Sequence, residues 1–469
     1  MSRPRRAAVP EPQPTLAYGL VFPGREDALQ QLAAPPRGTL TLRREAATTL
    51  VVGDNLDVLK HLARSHAGAV DAIYIDPPYN RGGDFVYRDR VAAPPWSESA
   101  LRAALPAAAR RAEARRSAPW LAMMLPRLAL ARTLLRDEGV LFVSIDDAEV
   151  HHLRLLLDEL FGRERFVAQI VVVSNRGGRD YLPIAITHEY VLCYAKGDAP
   201  RLAELPRAVT LPHDDARGAY ELRELRNRNP RFTPANRPNL SYPVWIDPSR
   251  SDAAACHPVS LTRQPGAIEL WPRNREGAPS VWRWGQPKLA AALVAGDPTR
   301  SEVVAKRRRD GGYNLYEKHR KTTTKARALW DDPLLRSEQG SIELRAELGA
   351  ALFDHPKPIE LVRRCLELGC GKDGLVLDFF AGSGTTALAV AALNAADGGR
   401  RRCLLVQQPE PTPPRSAAAQ AGLTDIAAIA AHRLRHALGR RAVAVVRCDA
   451  PTLTPAPARA RRSTPSPRR

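Results

Sequence analysis

The sequence of 469 residues has no long apolar run. A membrane-spanning helix needs about 20 predominantly apolar residues in succession, and no stretch approaches that length. The first residues, MSRPRRAAVPEPQP, also lack the apolar centre of a signal peptide and are typical of a flexible arm. We therefore expect a cytoplasmic protein with no membrane partner.

Cysteine is scarce, with six residues scattered along the chain. Only Cys365 and Cys370 lie close together, and their spacing fits neither a zinc site nor a disulfide framework. The histidines at 151–152, and His432 with His436, lack cysteine or acidic partners at ligand spacing. The sequence thus predicts a reduced compartment and no bound metal.

Acidic residues are outnumbered by basic ones. There are 50 Asp and Glu against 70 Lys and Arg, which gives a net charge of +20 and an isoelectric point near 10.2. A balance this basic is typical of a protein that binds a polyanion, and nucleic acid is the common one. The alternative is a genomic bias toward Arg, Ala and Pro codons, which the composition leaves open.

Apolar strands alternate with amphipathic helices in two separate parts of the chain, residues 45–200 and 345–448. Such alternation is typical of a parallel sheet covered by helices on both faces. Neither part holds enough strands for a full sheet, so we predict a single α/β fold. It is a doubly wound, largely parallel, Rossmann-like sheet built from both ends of the chain. One of its helices is expected to be interrupted at Pro126.

Three other segments complete the predicted organisation. Residues 1–44 form an N-terminal arm, and residues 449–469 form a basic, Pro-rich tail that we expect to be disordered. Between the two α/β parts, residues 201–344 are rich in Pro, Asn, Arg and Trp and lack a clean helical period. We predict an inserted domain of short strands and loops there.

A glycine-rich turn, LDFFAGSGTT, follows one predicted strand and opens a helix. Gly382 and Gly384 let the backbone turn tightly, so that a ligand can approach the helix N-terminus. The turn matches neither the phosphate loop of nucleotide hydrolases nor the dinucleotide fingerprint. Asp378 suits the cationic amino group of a methionine-like ligand, and Glu410 follows the next strand, where ribose hydroxyls are bound. The alternative is a purely structural turn.

A second rigid turn, Asp76-Pro77-Pro78-Tyr79, ends an earlier strand, at the edge where parallel sheets bind ligands. An aspartate with an ordinary pKa of about 4 is ionised at neutral pH and accepts hydrogen bonds. The Pro-Pro step fixes where the Pro77 carbonyl points. Two acceptors aimed at a heterocyclic amino group would concentrate its lone pair on nitrogen, and Tyr79 offers a face for stacking a flipped base. The alternative is a turn with a core tyrosine.

Together the two turns resemble the catalytic and S-adenosylmethionine motifs of amino-group DNA methyltransferases. Their order, with an insert between them, resembles the β class. Longer blocks, among them VVGDNLDVLKHL and HPKPIELVRR, are similar to the adenine-specific methylase (Mod) subunit of type III restriction-modification systems across most of residues 18–440. The resemblance implies a bacterial, nucleoid-associated enzyme that flips adenine out of DNA and methylates its N6 atom. An initial aspartate resembles the adenine-specific members, whereas cytosine members generally carry serine.

The resemblance also implies roles for individual residues. Asp76 and the Pro77 carbonyl would orient the target amino group, Pro78 would stiffen the turn, Tyr79 would stack the base and Asn80 would trim the pocket. The residues implied for the S-adenosylmethionine site are Asp54, Lys357, Pro358, Asp378, Phe380, Gly382, Gly384 and Glu410.

Basic side chains in the insert are expected to contact the DNA backbone, because phosphate contacts supply much of the affinity for DNA. These residues are Arg307, Arg308, Arg309, Lys318, Arg320, Lys321 and Lys325. The alternative is that they form an ordinary solvated face.

Double-stranded DNA is the partner implied, and the family implies a homodimer. The sequence has no helicase or nuclease motif, so any cleavage would belong to a separate restriction subunit. Two alternative functions stay open. One is methylation of cytosine N4 or of RNA, and the other is a DNA-binding specificity subunit without catalytic activity.

Overall fold

The structure is a computed structural model that describes residues 19–42, 46–81, 108–178 and 183–449. Residues 1–18 of the predicted arm and 450–469 of the predicted tail lie outside the described residues. The chain divides into two compact units: residues 204–325 form the smaller, and the segments on either side form the larger. Within the described ranges, no helix is long and apolar enough to cross a membrane.

The elements follow one another in three segments of the chain. Before the smaller unit come α1 (Arg25–Ala33), β1 (Thr48–Val52), α2 (Asn55–Ser65), β2 (Val70–Ile75), α3 (Ala108–Leu134), β3 (Leu135–Ile145), α4 (Val150–Phe161), β4 (Phe166–Val173) and β5 (His188–Ala195). The smaller unit holds β6 (Leu205–Pro206), β7 (His213–Asp215), β8 (Gly218–Glu224), β9 (Val244–Ile246), β10 (Cys256–His257), β11 (Val259–Ser260), β12 (Ile268–Leu270), α5 (Gln286–Ala291), β13 (Val303–Arg307), β14 (Tyr313–His319) and β15 (Thr323–Thr324). After it come β16 (Leu329–Trp330), α6 (Ser337–Leu348), α7 (Ile359–Gly369), β17 (Leu375–Asp378), α8 (Thr385–Asp397), β18 (Arg402–Gln407), α9 (Ala417–Gln420), α10 (Ile426–Leu438) and β19 (Val443–Arg447).

The strands of the larger unit join one sheet in the order β16-β4-β5-β3-β2-β17-β18-β1-β19. Neighbours pair in parallel except at β5, which is antiparallel to both β3 and β4. Strands β1 to β5 precede the smaller unit in the chain, and β16 to β19 follow it. The prediction of a doubly wound, largely parallel sheet built from both ends of the chain is confirmed.

Helices cover the central strands on both faces, so β1 and β2 are buried along their whole length. Successive side chains of a strand point to opposite faces. In β3, Leu141 and Val143 pack in a cluster with residues of α2, α3 and α4. Val140 and Phe142, on the other face, lie against Gly369 of α7. The continuous apolar runs in the sequence are therefore explained by burial on two sides.

Helix α3 continues through Pro126, contrary to the predicted interruption. Proline removes one backbone donor and normally kinks or ends a helix. Met124, Leu125 and Leu128 on the flanking turns are buried in the core of the larger unit, and Arg127 Nη1 donates to the Met123 carbonyl at 2.7 Å. Burial of this apolar face outweighs the loss of one hydrogen bond, so the helix persists.

The predicted N-terminal arm contains an ordered helix, α1. Arg25 on α1 forms an ion pair with Glu159 on α4, and the backbone N–H of Leu20 donates to the same carboxylate at 3.0 Å. Ala28 is buried against the core. Residues 19–42 are thus part of the larger unit, which the polar and Pro-rich composition of this region did not indicate.

The regular structure of the smaller unit consists mainly of short antiparallel strands. One sheet has the order β10-β13-β14-β8-β7, a second has β11-β9-β12, and β15 pairs with β6. Its own core includes the buried residues Tyr242, Val244, Trp282 and Leu315. The unit therefore has its own hydrophobic centre.

The boundaries of the smaller unit differ from the predicted insert, 201–344. The Ala203 N–H donates to the Leu368 carbonyl of the larger unit at 2.8 Å. At the other end, β16 pairs in parallel with β4 of the large sheet. The sequence did not indicate this pairing, because a strand of two residues has no periodicity of its own.

The sheet reverses its winding between β2 and β17, which are neighbours. From β2 the chain continues through α3 to β3 on one side, whereas from β17 it continues through α8 to β18 on the other. Such a switch point leaves a crevice outside the carboxyl ends of the strands, where ligands bind. Asp76 directly follows β2 and Asp378 ends β17, so the two predicted motifs meet at this crevice.

We expect Gly369→Ala to destabilise the protein by about 1–3 kcal/mol, the usual range for overpacking a core. An added Cβ would lie 2.4 Å from Val140 Cγ2 and 2.8 Å from Phe142 Cε2. Gly371→Ala is the matched control, since its nearest atom would be Arg201 Nη1 at 3.7 Å. Urea denaturation compares the two variants, and equal stabilities would contradict the close packing of α7 on β3.

Candidate active site

Two adjoining cavities lie at the carboxyl ends of the central strands. The smaller, about 310 Å³, is lined by residues 76–79, by residues of β5 and by residues 355–357. The larger, about 420 Å³, is lined by the glycine-rich turn and by residues 407–411. Asp76, Pro78 and residues 355–357 line both cavities. The predicted catalytic turn therefore stands between them.

Asp76 has a buried oxygen atom that lacks a hydrogen bond. Its side chain is 24% exposed, yet Oδ1 is buried and accepts no hydrogen bond from the residues that the structure describes. Lys357 Nζ lies 3.5 Å from this atom. Burial raises the pKa of Asp76 to about 6, although the Lys357 ammonium lowers it. This corrects the expected ordinary pKa, but the carboxylate is still mostly ionised at neutral pH and can accept a proton from a neighbour.

Lys357 connects the groups around Asp76. Its Nζ donates to Tyr79 Oη at 2.5 Å and to both carboxylate oxygens of Glu189 at 2.9 Å. Tyr79 Oη donates in turn to Glu189 Oε2 at 3.3 Å. Lys357 was predicted for the S-adenosylmethionine site alone, but it lines both cavities.

Glu189 was not predicted as a site residue. It lies in β5, an otherwise largely apolar strand of sequence HEYVLCYA, and is 6% exposed. A buried carboxylate needs a charged or hydrogen-bonding partner. The acid inside an apolar strand was therefore an available signal, but its partner Lys357 lies 168 residues further along the chain.

A hydrogen bond from a residue of α3 holds the Pro-Pro turn in place. Trp120 Nε1 donates to the Pro78 carbonyl at 2.7 Å, and Pro77 is buried. Because both prolines also restrict the backbone, the turn presents Asp76 and Tyr79 in one arrangement.

Asn80 does not trim the pocket, contrary to the prediction. It is 4% exposed and lines neither cavity. Its φ of 60° lies in the left-handed region, which asparagine tolerates better than most residues. Asn80 Nδ2 donates to the Arg116 carbonyl at 2.8 Å and to Glu149 Oε1 at 2.7 Å. Asn80 therefore ties the end of the turn to α3 and to the residue before α4.

The glycine-rich turn needs glycine at two positions. Gly382 has φ 52° and Gly384 has φ 85°, both in the left-handed region. A Cβ at Gly382 would approach Phe353 Cζ to 3.3 Å, and one at Gly384 would approach Leu434 Cγ to 3.0 Å. Backbone conformation and close packing against Phe353 and Leu434 thus both favour glycine at these positions.

Asp378 holds the turn and is itself buried, with 3% exposure. Its Oδ1 accepts from the Phe380 N–H at 2.9 Å, and its Oδ2 accepts from Thr386 Oγ1 at 2.5 Å. Burial raises the pKa of Asp378 to about 7, although these hydrogen bonds lower it. Each oxygen has a second lone pair, so Asp378 retains the capacity to accept from a ligand in the cavity that it lines.

Gln407 and Asn55 line the larger cavity but were not predicted. Gln407 ends β18 and accepts from the Gly382 N–H at 2.7 Å, and Asn55 Nδ2 donates to the Phe379 carbonyl at 2.8 Å. Arg127 Nε donates to Asn55 Oδ1 at 2.6 Å and keeps the amide in place. These contacts join segments that are far apart in the sequence, so no local pattern marked them.

The remaining predicted residues of the larger cavity divide into two groups. Phe380 and Glu410 line it, as do Asp378 and Gly382. Asp54, Pro358 and Gly384 do not. Asp54 caps α2 by accepting from the Leu56 N–H at 2.9 Å, Pro358 is the residue before the first turn of α7, and Gly384 packs against Leu434. Their predicted positions in the pocket wall are corrected; Asn55 and Lys357, the sequence neighbours of Asp54 and Pro358, line the cavity instead.

The seven basic residues predicted to contact DNA all lie in the smaller unit. Arg307 to Arg309 are exposed at the end of β13 and in the turn that follows, and Lys325 is exposed as well. Lys321 is exposed and pairs with Glu204 at 2.5 Å. These residues are accessible to a polyanion.

Lys318 is not accessible, and the prediction that it contacts DNA is corrected. It is 3% exposed, its Nζ lies 2.7 Å from Asp215 Oδ2, and it donates to the Pro298 carbonyl at 2.7 Å. Arg320 also pairs with Asp215, at 2.9 Å. Although burial raises it, hydrogen bonds from Arg320 and Lys318 bring the pKa of Asp215 to about 2. This charge cluster stabilises the smaller unit internally.

Within the described ranges, no group of three or more His, Cys, Asp or Glu side chains is arranged to hold an ion. His432 and His436 lie on α10, in the wall of a separate groove lined by Arg435, Arg440 and Arg447.

We expect Asp378→Asn to become more stable relative to the wild type as pH rises. The carboxyl pKa is about 7 in the folded protein, against an ordinary value of 3.8. Between these values the folded wild type binds more protons than the unfolded chain, so its stability falls as pH rises, whereas the amide does not titrate.

Urea denaturation at about pH 5 and pH 8 should show the stability difference changing by about 2–3 kcal/mol in favour of the variant. Asp373→Asn, at an exposed carboxylate that pairs with Arg400, is the matched control and should show no such change. A pH-independent difference for Asp378→Asn would contradict the buried position of its carboxyl group.

Comparison with known proteins identifies the family. The model of the DNA methylase family N6_N4_Mtase matches residues 70–397. This range extends from β2, which precedes Asp76, through the smaller unit to the glycine-rich turn and α8. Both predicted motifs therefore lie inside the matched region.

Curated relatives agree with this match. The chain is 34% identical over 422 residues to the type III restriction-modification enzyme EcoPI Mod subunit of Escherichia phage P1, covering 84% of this chain and 64% of the relative. It is 30% identical to the type II methyltransferase M.KpnI of Klebsiella pneumoniae, covering 83% and 87%.

The StyLTI Mod subunit of Salmonella typhimurium is 31% identical, covering 90% of this chain and 63% of the relative. This chain thus spans less than two thirds of the length of the two Mod subunits. The predicted resemblance to Mod subunits is confirmed, and the chain belongs to the DNA methylase family.

Proposed function

We propose that this protein is a site-specific DNA methyltransferase that moves a methyl group from S-adenosylmethionine to the N6 atom of a flipped-out adenine. The observation that carries the proposal is Asp76 Oδ1, a buried acceptor without a hydrogen bond from the described residues. An unsatisfied buried acceptor is unfavourable and calls for an explanation. A substrate amino group donating to Asp76 from the smaller cavity would satisfy it.

We assign the larger cavity to S-adenosylmethionine. Its volume of about 420 Å³ is in the range of ligand pockets, and its wall carries three carboxylates, Asp76, Asp378 and Glu410. Asp378 would accept from the ligand's cationic amino group, and Glu410 would accept from the ribose hydroxyls. Gly382, which lines the cavity, would leave room for the ligand beside the turn, and Phe380 would lie against its apolar part. When bound, S-adenosylmethionine supplies an electrophilic methyl group.

We assign the smaller cavity to the target base. Asp76 and the Pro77 carbonyl would accept hydrogen bonds from the adenine amino group, drawing its lone pair out of conjugation with the ring. Tyr79, with its hydroxyl held by Lys357 and Glu189, would stack on the base. As the nitrogen forms its new bond to carbon it loses a proton, and a carboxylate with a pKa of about 6 is suited to accept it.

We favour adenine over cytosine as the target base because the turn begins with aspartate, as in the adenine-specific members of the family that it resembles. The partner that we propose is double-stranded DNA, with the smaller unit as the target-recognition domain. We also propose that the protein is a homodimer in the bacterial cytoplasm, associated with the nucleoid. Its further partner would be a separate restriction subunit. The names of the type III Mod relatives support the restriction partner.

Mass spectrometry of nucleosides tests the reaction. We expect N6-methyladenine to appear in unmethylated plasmid DNA incubated with the protein and S-adenosylmethionine. Asp76→Asn should lower the rate by about 10²–10⁴-fold, the usual contribution of a positioned acid–base group. N4-methylcytosine as the product would support the cytosine alternative, and DNA binding without any methylation would support the inactive specificity subunit.

The insert is tested by the salt dependence of DNA binding. Each phosphate that a basic side chain neutralises contributes about 0.9 to the slope of log K against log salt concentration. Replacing Arg307, Arg308 and Arg309 together by Gln should reduce the slope by about 1 for each phosphate that these arginines neutralise. Arg400→Gln, at an exposed arginine of the larger unit, controls for the removal of a surface charge. An unchanged slope for the triple variant would mean that these arginines form a solvated face.

A further inference from the structure

Glu189 is a buried carboxylate to which the proposed reaction assigns no step. It lies in β5 and lines the smaller cavity beside Asp76. Its contacts are with Lys357 and Tyr79, not with the acceptor atom of Asp76. Placing a second carboxylate near Asp76 raises the energy of the ionised site unless a cation offsets it, so its presence there calls for a reason.

The Lys357 ammonium has three protons to donate. Both oxygens of Glu189 lie at 2.9 Å and Tyr79 Oη lies at 2.5 Å, all within hydrogen-bonding distance. Asp76 Oδ1 lies at 3.5 Å and receives no hydrogen bond from the described residues. The ammonium is thus close enough to stabilise the ionised Asp76, while its three nearest acceptor atoms belong to Glu189 and Tyr79.

We propose that Glu189 is a positioning residue that keeps the Lys357 ammonium from hydrogen-bonding to Asp76, so that Oδ1 stays open for the target amino group. Without the Glu189 carboxylate, the ammonium would turn to the nearby Asp76 and occupy the atom that must accept from the substrate. This inference rests on the proposed methyltransferase function and adds a determinant of its catalytic geometry.

The charges around Asp76 give this arrangement a measurable signature. The titratable groups that act on Asp76 or border it are Tyr74 on β2, Tyr79, Asp378 on β17, Glu189 on β5 and Lys357 before α7. The cavity walls add Arg81, His188 and His355. After burial, the two charges with most effect on the pKa of Asp76 are Lys357, which lowers it, and Glu189, which raises it.

Substitutions of the two partners should therefore move the pKa of Asp76 in opposite directions. Glu189→Gln removes a raising charge and lets the ammonium approach, so the pKa falls below about 6. Lys357→Met removes the lowering charge, so the pKa rises above that value. Activity that needs ionised Asp76 is lost as pH falls through the pKa. The acidic limb of the rate profile should then move to lower pH for Glu189→Gln and to higher pH for Lys357→Met.

The experiment is single-turnover transfer of radiolabelled methyl groups from S-adenosylmethionine to unmethylated duplex DNA, across about pH 5 to 9. For Glu189→Gln we expect a plateau rate lower by about tenfold or more, with DNA affinity within about twofold. The double variant Glu189→Gln, Lys357→Met should be faster at high pH than Glu189→Gln alone, because no ammonium then competes for Asp76. Glu159→Gln, which breaks an ion pair with Arg25 away from both cavities, is the matched control.

A double variant no faster than Glu189→Gln would overturn the positioning role, and so would shifts of the acidic limb in the same direction for both single variants. If Glu189→Gln does not fold, Lys357→Met still tests the predicted rise of the limb. Failure of the proposed function is distinguishable, since the wild type itself would then methylate no base.

Discussion

The parallel pairing of β2 with β17 is the contact on which the site depends. Ala72 and Ile73 stand opposite Val376 and Leu377, so the strands end side by side. Asp76 lies just after β2, and Asp378 is the last residue of β17. The two residues are about 300 positions apart in the chain, yet they border the same cavity. The chain turns away in opposite directions from these two strands, and the crevice left between the crossovers is where the function that we propose would bring a methyl donor and a target base together.

Burial is what makes the two carboxylates at this crevice useful. Both have raised pKa values, about 6 for Asp76 and about 7 for Asp378, and desolvation is the largest cause in each case. The two differ in how their oxygens are occupied. Asp378 accepts hydrogen bonds from the Phe380 backbone and from Thr386, which gives the glycine-rich turn its shape, whereas Asp76 Oδ1 accepts no hydrogen bond from the described residues. Asp378 therefore has a structural role in addition to its proposed contact with a ligand, whereas Asp76 has an oxygen that can accept a hydrogen bond from a substrate.

Charge in this protein serves two distinct purposes. Within the larger unit, the Lys357 ammonium pairs with Glu189 at 2.9 Å and lies 3.5 Å from Asp76 Oδ1, so one cation offsets two carboxylates. Within the smaller unit, Lys318 and Arg320 are used to neutralise Asp215, while Arg307 to Arg309 remain at the surface. The net charge of +20 thus overstates the number of cations that are available to a polyanion.

The sequence by itself determined the sheet and the two motifs, because these are written in local patterns. Continuous apolar strands, glycines at two left-handed positions and the stiff Pro-Pro step can each be recognised within about ten residues. Only the tertiary structure decided what required distant partners. Such cases are the burial of Lys318 beside Asp215, the capping of α2 by Asp54, the buried position of Asn80 and the continuation of α3 through Pro126. The contact of Glu189 with Lys357 is another such case. Hydrogen bonds and packing between distant segments produce no periodic pattern in the sequence of either segment.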